Sequence, residues 1–302
     1  MTPTKGEENK LGNRSAPIWS MSELKTLIMP AEDPRLLDIN FPYTYEVSNP
    51  FGAAYYFGTR HITQRNDRMF KLIIDSFERF RPDYVLVELE PRVNTMVPVQ
   101  ERADYRDTYL NTSRETAVEN GEVYLGIKLA ADYRIPVECP EPSYSEVYKH
   151  LGVIGFKPIE IASYYLLRAA SNYPAYRSKW SMEQLMEYRI GQLKPYWPHD
   201  PGFLTWQSAK TFAKATFGET FSLEPEILKL KVPPTVPPDS PHRSILSDLA
   251  RGISDLLEAK VVNRILELVF EGKRVYTLFG ASHAVRHEHA LFELIRGRQA
   301  IN

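Results

Sequence analysis

The chain has 302 residues, and its 37 lysine and arginine residues nearly balance 38 aspartate and glutamate residues, for a formal net charge of −1. A near-neutral chain lacks the basic surface typical of nucleic-acid-binding proteins, so we expect no nucleic acid partner. The single cysteine excludes an internal disulfide and a cysteine-rich zinc site. Any metal ion would therefore be held by carboxylates and by some of the seven histidines.

The N-terminal part of the chain carries no recognisable chemistry. Residues 1–14 are polar and charged, and no apolar segment of the signal-peptide kind follows them. No run approaches the roughly 18 apolar residues that a membrane-spanning helix requires. These features predict a cytoplasmic protein without a membrane span. Pro30, Pro34 and Pro42 interrupt any helical pattern in the N-terminal part, so residues 1–45 are predicted to be an irregular arm.

Residues 46–302 are predicted to form one α/β domain that begins with a strand-helix-strand unit. The first strand is AAYYFG (residues 53–58), and YVLV (residues 84–87) has the length and the apolar character of a buried parallel strand. Between them, apolar residues recur at spacings of three and four: Met69, Leu72, Ile73, Phe77 and Phe80. This spacing predicts a helix that packs on the sheet.

The pattern continues more loosely along the rest of the chain. The predicted elements are a helix at 117–133, a strand at 135–142, a Tyr/Trp-rich helical insertion at about 143–240 that ends in a proline cluster, a long helix at 245–269, a strand at 274–279 and a final helix. The fold class is therefore predicted to be α/β, with a central, mostly parallel sheet flanked by helices and a helical insertion in the middle.

Two strands of the predicted sheet are each followed by a Gly-x-x-His motif, GTRH (Gly58 to His61) and GASH (Gly280 to His283). A glycine at a strand end permits a sharp turn or a close backbone approach. Gly58 and Gly280 are therefore expected to support the site by directing the two histidines. One such motif is often a simple turn, but a pair of them favours a shared site.

An acidic side chain closes a third predicted strand. Glu88 directly follows VLV, where an unpaired charge is costly, so we expect a cation, a base or an arginine beside it. In open α/β sheets the functional crevice lies at the carboxyl ends of the strands. His61, Glu88 and His283 are thus predicted to converge there as ligands of a divalent metal ion, with Zn, Mn, Co or Fe as candidates.

Other polar side chains near these strand ends are candidates for assisting roles. Glu90 or Glu141 is a candidate general base, although a solvated strand end explains Glu90 equally well. Arg60 and Arg286 are candidates for holding a negatively charged group of the substrate, and a solvated surface position is their ordinary alternative. His287 is predicted to support the site from behind the ligands or to lie on the surface, with His283 placed before the final helix begins.

The segments FGTRH, RPDYVLVELEP and VYTLFGASH together resemble the TraB/GumN/Tiki superfamily and its erythromycin-esterase-like and ChaN-like relatives. That family is characterised by two Gly-x-x-His motifs and a strand-terminal glutamate, and its Tiki members are regarded as metal-dependent proteases. The resemblance implies that His61, Glu88 and His283 form the site. The family often has an Arg-Asn or Arg-Asp pair in the helix before the last strand, where this chain has Asn263-Arg264 in reversed order.

The leading hypothesis from the sequence is a metal-dependent hydrolase that acts on amide, peptide or ester bonds of a peptide or small-molecule substrate. A bound divalent ion lowers the pKa of water from about 15.7 toward roughly 7, and a carboxylate accepts the proton. Two alternatives stay open. One is a metal-free, esterase-like hydrolase that uses a motif histidine as general base with Glu88 orienting it. The other is a non-catalytic protein that binds haem or a small metabolite through one of these histidines.

Overall fold

The computed structural model describes residues 19–62, 64–88, 110–197, 201–237 and 239–297. The strands and helices are, in chain order, α1 (Met21–Leu27), β1 (Tyr43–Ser48), β2 (Ala53–Thr59), α2 (Arg68–Phe80), β3 (Tyr84–Val87), α3 (Arg114–Asn120), α4 (Glu122–Tyr133), β4 (Val137–Glu138), α5 (Tyr144–Val153), α6 (Pro158–Ser171), α7 (Met182–Leu193), α8 (Trp206–Phe217), α9 (Pro225–Lys231), α10 (Ile245–Phe270), β5 (Arg274–Gly280) and α11 (Ala281–Arg296).

The five strands form one sheet in the order β1-β2-β5-β3-β4. β1 runs antiparallel to β2, and the other neighbours are parallel, so the predicted α/β fold with a mostly parallel sheet is confirmed. The register pairs Thr59 with Gly280 and Val87 with Leu278. The carboxyl ends of β2, β5 and β3 therefore lie side by side at one edge of the sheet.

Helices cover both faces of the sheet, and alternate strand residues point to opposite sides. Tyr56 and Leu86 pack with α1, α10 and α11 on one face. Tyr55 and Val85 pack with α2 and α4 on the other face. The apolar residues of the inner strands are buried on both sides, which explains the continuous apolar runs that predicted these strands.

The predicted helical insertion at about 143–240 is observed as helices α5 to α9, which have an apolar core of their own. The first half of α10 completes this core with Leu246, Leu249 and Ala250. From Ala259 onward, α10 packs on the sheet instead. Its 26 residues correspond to a length of about 39 Å. One continuous helix thus belongs to both cores and passes from one to the other near its middle.

Three local predictions differ from the structure. The N-terminal arm is not irregular throughout, because a Ser20–Glu23 capping box starts α1, whose Leu24 is buried. The helix predicted at 117–133 is two helices, divided at Gly121 with φ +108°. The strand predicted at 135–142 is limited to β4, since the prolines on both sides of it cannot donate a hydrogen bond to a sheet.

The close packing of β2 against α11 can be tested at Gly58. A Cβ at this position would lie 2.8 Å from Ala281 Cα, 2.9 Å from Ala284 Cβ and 2.9 Å from the Tyr43 carbonyl oxygen. Because the first and last of these atoms are backbone, we expect Gly58→Ala to lower the free energy of unfolding by roughly 1–3 kcal/mol. Gly191→Ala in α7 is the control, since nothing lies within 4 Å, and it should raise stability by up to about 1 kcal/mol. Equal effects in urea denaturation would contradict this packing.

Candidate functional site

The carboxyl ends of three neighbouring strands bring the predicted residues together. Oε1 of Glu88, directly after β3, lies 3.8 Å from Nε2 of His61 and 3.7 Å from Nε2 of His283. The second oxygen of Glu88 accepts a hydrogen bond of 2.5 Å from the backbone N–H of Gly280. One carboxylate therefore faces both motif histidines and is fixed to the central strand.

Gly280 is required because His61 and Glu88 meet over the end of the central strand. A Cβ at Gly280 would lie 2.8 Å from Nε2 of His61 and 3.2 Å from Oε2 of Glu88. Any side chain at this position would push the imidazole or the carboxylate out of place. The glycine of the second motif thus provides space for the histidine of the first motif, whereas the glycine of the first motif, Gly58, provides space for α11.

His61 follows β2 in a backbone conformation that is unusual for a residue other than glycine, with φ 58°. Its Nδ1 lies 3.1 Å from Oε1 of the buried Glu122, the first residue of α4. The hydroxyl of Thr59 donates to Oε1 of Glu122 at 3.0 Å, and the amide of Ile62 donates to Oε2 at 3.1 Å. His61 itself is open to solvent, with 59% of its side chain exposed.

His283 is the more enclosed histidine, with 20% of its side chain exposed. It lies in the first turn of α11, which begins directly after β5, so the prediction that it precedes the helix is wrong. Its Nδ1 lies 2.9 Å and 3.0 Å from the two oxygens of Glu258. Each motif histidine therefore has a glutamate behind Nδ1 and Glu88 in front of Nε2.

Glu258 lies in α10 near the point where this helix passes from the helical core to the sheet, and it is fully buried. Besides His283, it pairs with the guanidinium of Arg286 and lies 2.5 Å from Nε2 of His287. His287 is also fully buried, and its Nδ1 lies 3.1 Å from the hydroxyl of Tyr56. The sequence left open whether His287 supports the site or lies on the surface. In the structure His287 lies behind His283 on the same face of α11 and not on the surface.

The structure does not support the predicted role of Arg286 in holding a substrate. Arg286 is buried, and besides Glu258 it donates to the carbonyl oxygen of Met29 and to the hydroxyl of Ser254, both at 2.8 Å. These contacts direct the guanidinium away from solvent. Its charge neutralises Glu258 inside the protein, so it is not available to a substrate.

Neighbouring glutamates raise the pKa of both site histidines. The hydrogen bond to Glu122 raises the pKa of His61 more than partial burial lowers it. Burial also lowers the pKa of His283, but the charge of Glu258, its hydrogen bond and the charge of Glu88 raise that pKa to about 9. Burial favours the neutral form of Glu258, yet the charges and hydrogen bonds of His283 and His287 hold its pKa well below the usual range. Glu258 is therefore ionised at neutral pH.

Within the described residues, Glu258, His283 and His287 form a group whose ligand atoms all lie within 4.8 Å of one another. By spacing alone this group can hold a metal ion. However, its close contacts are those of a hydrogen-bond network, and a cation there would lie beside the guanidinium of Arg286. The predicted trio of His61, Glu88 and His283 does not meet the same spacing. In that trio, the Nε2 atoms of both histidines instead face a single oxygen of Glu88.

The remaining predicted residues have other positions. Arg60 is largely exposed and pairs with Asp67 at 2.5 Å. Asp67 is also the N-cap of α2, so this contact fixes the loop between β2 and that helix. Glu141 is half-buried in the segment between β4 and α5. Glu90 lies outside the described residues.

Sequence reasoning missed the two glutamates that orient the histidines. Glu258 did carry a signal, since it interrupts the apolar stretch LLEAKVV on a helix face that otherwise packs inward. Glu122 carried a weaker one, as an acidic residue directly after a glycine at the start of a helix. The Asn263-Arg264 pair that the sequence singled out makes other contacts. Asn263 bonds the backbone of Trp19, and Arg264 pairs with Glu138.

Comparisons with protein-family models, with curated proteins and with solved structures gave no match for this chain. None of the helices in the described ranges is both long enough and apolar enough to cross a lipid bilayer.

The different surroundings of the two glutamates predict different costs of neutralising them. Glu258→Gln leaves the buried guanidinium of Arg286 without a charged partner, so we expect a loss of about 3–5 kcal/mol in the free energy of unfolding. In Glu122→Gln the amide oxygen can still accept from the Ile62 N–H, the NH2 group can donate to the Thr59 hydroxyl, and the histidine beside it is solvent-exposed, so we expect a loss of about 1–2 kcal/mol. Chemical denaturation of the two variants measures the difference. A larger loss for Glu122→Gln would contradict this assignment of the buried charges.

Proposed function

We propose that this protein is a metal-dependent hydrolase whose site is formed by His61, His283 and Glu88. The observation that carries the proposal is the paired arrangement of the histidines. Nδ1 of each imidazole faces a buried glutamate at about 3 Å, and Nε2 of each faces the same oxygen of Glu88. Imidazoles that have one ring nitrogen held by a carboxylate in this way are typical of a metal centre.

The hydrogen bonds behind the histidines suit metal binding. A neutral imidazole that donates Nδ1–H to a carboxylate has its lone pair on Nε2, and a metal ion binds to that lone pair. Because both Nε2 atoms lie within 3.8 Å of Oε1 of Glu88, an ion held by the two histidines would lie within reach of this carboxylate. His61 is the side chain with room to move closer to His283, since more than half of it is exposed.

The charges around the site also suit a divalent cation. Three carboxylates surround the two histidines, namely Glu88, Glu122 and Glu258, and Arg286 neutralises one of them. With neutral histidines, two negative charges are left in a partly dehydrated region, which is costly. One divalent ion balances them. Nitrogen and oxygen donors of this kind favour Zn, Mn, Co or Fe.

When bound, such an ion polarises a carbonyl group and makes a water molecule acidic enough to act as a nucleophile near neutral pH. The side chains then have distinct tasks. His61 and His283 hold the ion, with Glu122 and Glu258 fixing the imidazole rings. Glu88, anchored by the Gly280 N–H, is placed to accept the proton of the attacking water and return it to the leaving group. Amide, peptide and ester bonds are all cleaved by this chemistry.

A metal-free hydrolase is the second candidate, and the raised pKa of His283 favours it. Without a cation, this histidine carries a proton at neutral pH, held between Glu258 and Glu88. A protonated imidazole can donate to a leaving group, which would make His283 a general acid in place of the general base predicted from the sequence. The two candidates differ in whether a metal ion is needed for turnover.

Metal content provides the direct test of the leading proposal. We expect the purified protein, after incubation with Zn²⁺ or Mn²⁺ and desalting, to retain about one equivalent of metal by elemental analysis. His61→Ala and His283→Ala each remove one ligand and should lower retention at least tenfold. His289→Ala is the matched control, because this histidine is exposed on the same helix, α11. Negligible metal in the unsubstituted protein, or equal metal in all four proteins, would overturn the metal site.

Turnover tests the reaction class. A panel of peptide, anilide and carboxylic ester substrates should give metal-dependent hydrolysis that chelation abolishes and added Zn²⁺ or Mn²⁺ restores. Glu88→Gln keeps the size of the side chain but removes the base, so we expect kcat/KM to fall by roughly 10²-fold or more. Hydrolysis that persists after complete chelation would favour the metal-free candidate. No hydrolysis by a metal-loaded protein would count against both.

A further inference from the structure

A chain of buried hydrogen-bond contacts runs from the site into the core behind His283. His283 contacts Glu258, Glu258 contacts Nε2 of His287, and Nδ1 of His287 contacts the hydroxyl of Tyr56 on β2. Tyr56, Glu258 and His287 are all fully buried. The catalytic scheme above uses only the first of these contacts, so Tyr56 and His287 need an explanation of their own.

The contacts determine which atom donates at each step. A carboxylate only accepts, so the 2.5 Å contact with Glu258 requires a proton on Nε2 of His287. A second proton on the same ring would place another cation beside Arg286, which already pairs with Glu258. Nδ1 therefore carries a lone pair. Within the described residues, Nδ1 of His287 is the one hydrogen-bond partner of the Tyr56 hydroxyl. The hydroxyl therefore donates to this lone pair.

We propose that Tyr56 and His287 are positioning residues that fix the direction of hydrogen bonding onto Glu258. Tyr56 donates to Nδ1 of His287, Nε2–H of His287 donates to Glu258, and Glu258 is left to accept Nδ1–H of His283. Nε2 of His283 is then the atom that faces Glu88. The consequence for metal binding rests on the function proposed above, whereas the assignment of protons within the chain does not.

The first histidine shows why such a device is needed. Glu122 is held by a hydroxyl and a backbone amide, neither of which changes its protonation in the ordinary pH range. Glu258 is held instead by a second imidazole, which can exist in two neutral forms. The form with the proton on Nδ1 would direct a lone pair at the Glu258 carboxylate and repel it. The Glu258 carboxylate, which can only accept, excludes that form, and the hydroxyl of Tyr56 donates to the Nδ1 lone pair of the form that remains.

Nuclear magnetic resonance of the full chain with ¹⁵N-labelled histidine reads these protons directly. Long-range ¹H–¹⁵N correlations distinguish the two neutral forms of imidazole, and loss of one signal set in His287→Gln assigns His287. At neutral pH we expect His287 to carry its proton on Nε2 alone. A proton on Nδ1, or on both nitrogens, would overturn the proposal whether or not the protein binds a metal.

Two tyrosine variants then separate positioning from simple stability. Tyr45 stacks on Tyr56, is also buried, and its hydroxyl donates to the carbonyl of Ala284 and not to an imidazole. Tyr56→Phe and Tyr45→Phe each remove one buried hydroxyl, so a structural role would give the same result in both. Tyr56→Phe leaves Nδ1 of His287 without its donor, so we expect it to weaken Zn²⁺ binding roughly tenfold and to shift the ¹⁵N resonance of that nitrogen. Tyr45→Phe should leave both properties unchanged.

Conservative and disruptive changes at His287 complete the test. The amide of a glutamine can donate to Glu258 and accept from Tyr56, so His287→Gln should retain Zn²⁺ affinity within about threefold. His287→Leu offers neither contact and should weaken Zn²⁺ binding at least tenfold. Equal losses in both His287 variants, or in both tyrosine variants, would contradict positioning. Absence of Zn²⁺ binding in the unsubstituted protein would count against the proposed function, and the proton on His287 would still decide this inference.

Discussion

The buried carboxylate of Glu258 is the constraint on which the rest of this structure depends. A charge without solvent must be paired, and here its partners come from α11, which supplies His283, Arg286 and His287. Arg286 in turn bonds the backbone of Met29 in both directions. One carboxylate on α10 therefore fixes the last helix and the N-terminal segment relative to the sheet, at the point where α10 leaves the helical core.

The two halves of the candidate site follow one plan with different degrees of enclosure. In each half, a histidine after a strand has a glutamate from a helix behind it. Glu122, which faces His61, is held by Thr59 and Ile62 on either side of that histidine, whereas Glu258 is held by a network that reaches across the core. His283 is consequently the fixed member of the pair. His61, with its exposed ring, is the member with room to move.

Sequence reasoning located the residues that terminate strands, because an apolar run followed by glycine, histidine or glutamate has a local signature. His61, Glu88 and Gly280 are of this kind, and the parallel sheet places them together. The supporting side chains were harder to find. Glu258 lies on a helix with apolar neighbours, and its partners are 25 or more positions away in the chain. Arg286 was misassigned for the same reason, since no local pattern distinguishes a buried arginine paired across the core from one on the surface.

The absence of a side chain at Gly280 connects these observations. β5 lies between β2 and β3, so a group on its final residue would separate His61 from Glu88. Without that group, the two side chains meet above the strand, and the free N–H of Gly280 can bind the carboxylate. His283 follows three residues later, in the first turn of α11. The end of the central strand thus provides a gap and an anchor at Gly280, and the helix that follows it places His283 three residues later, so the Gly-x-x-His spacing matters more than either residue alone.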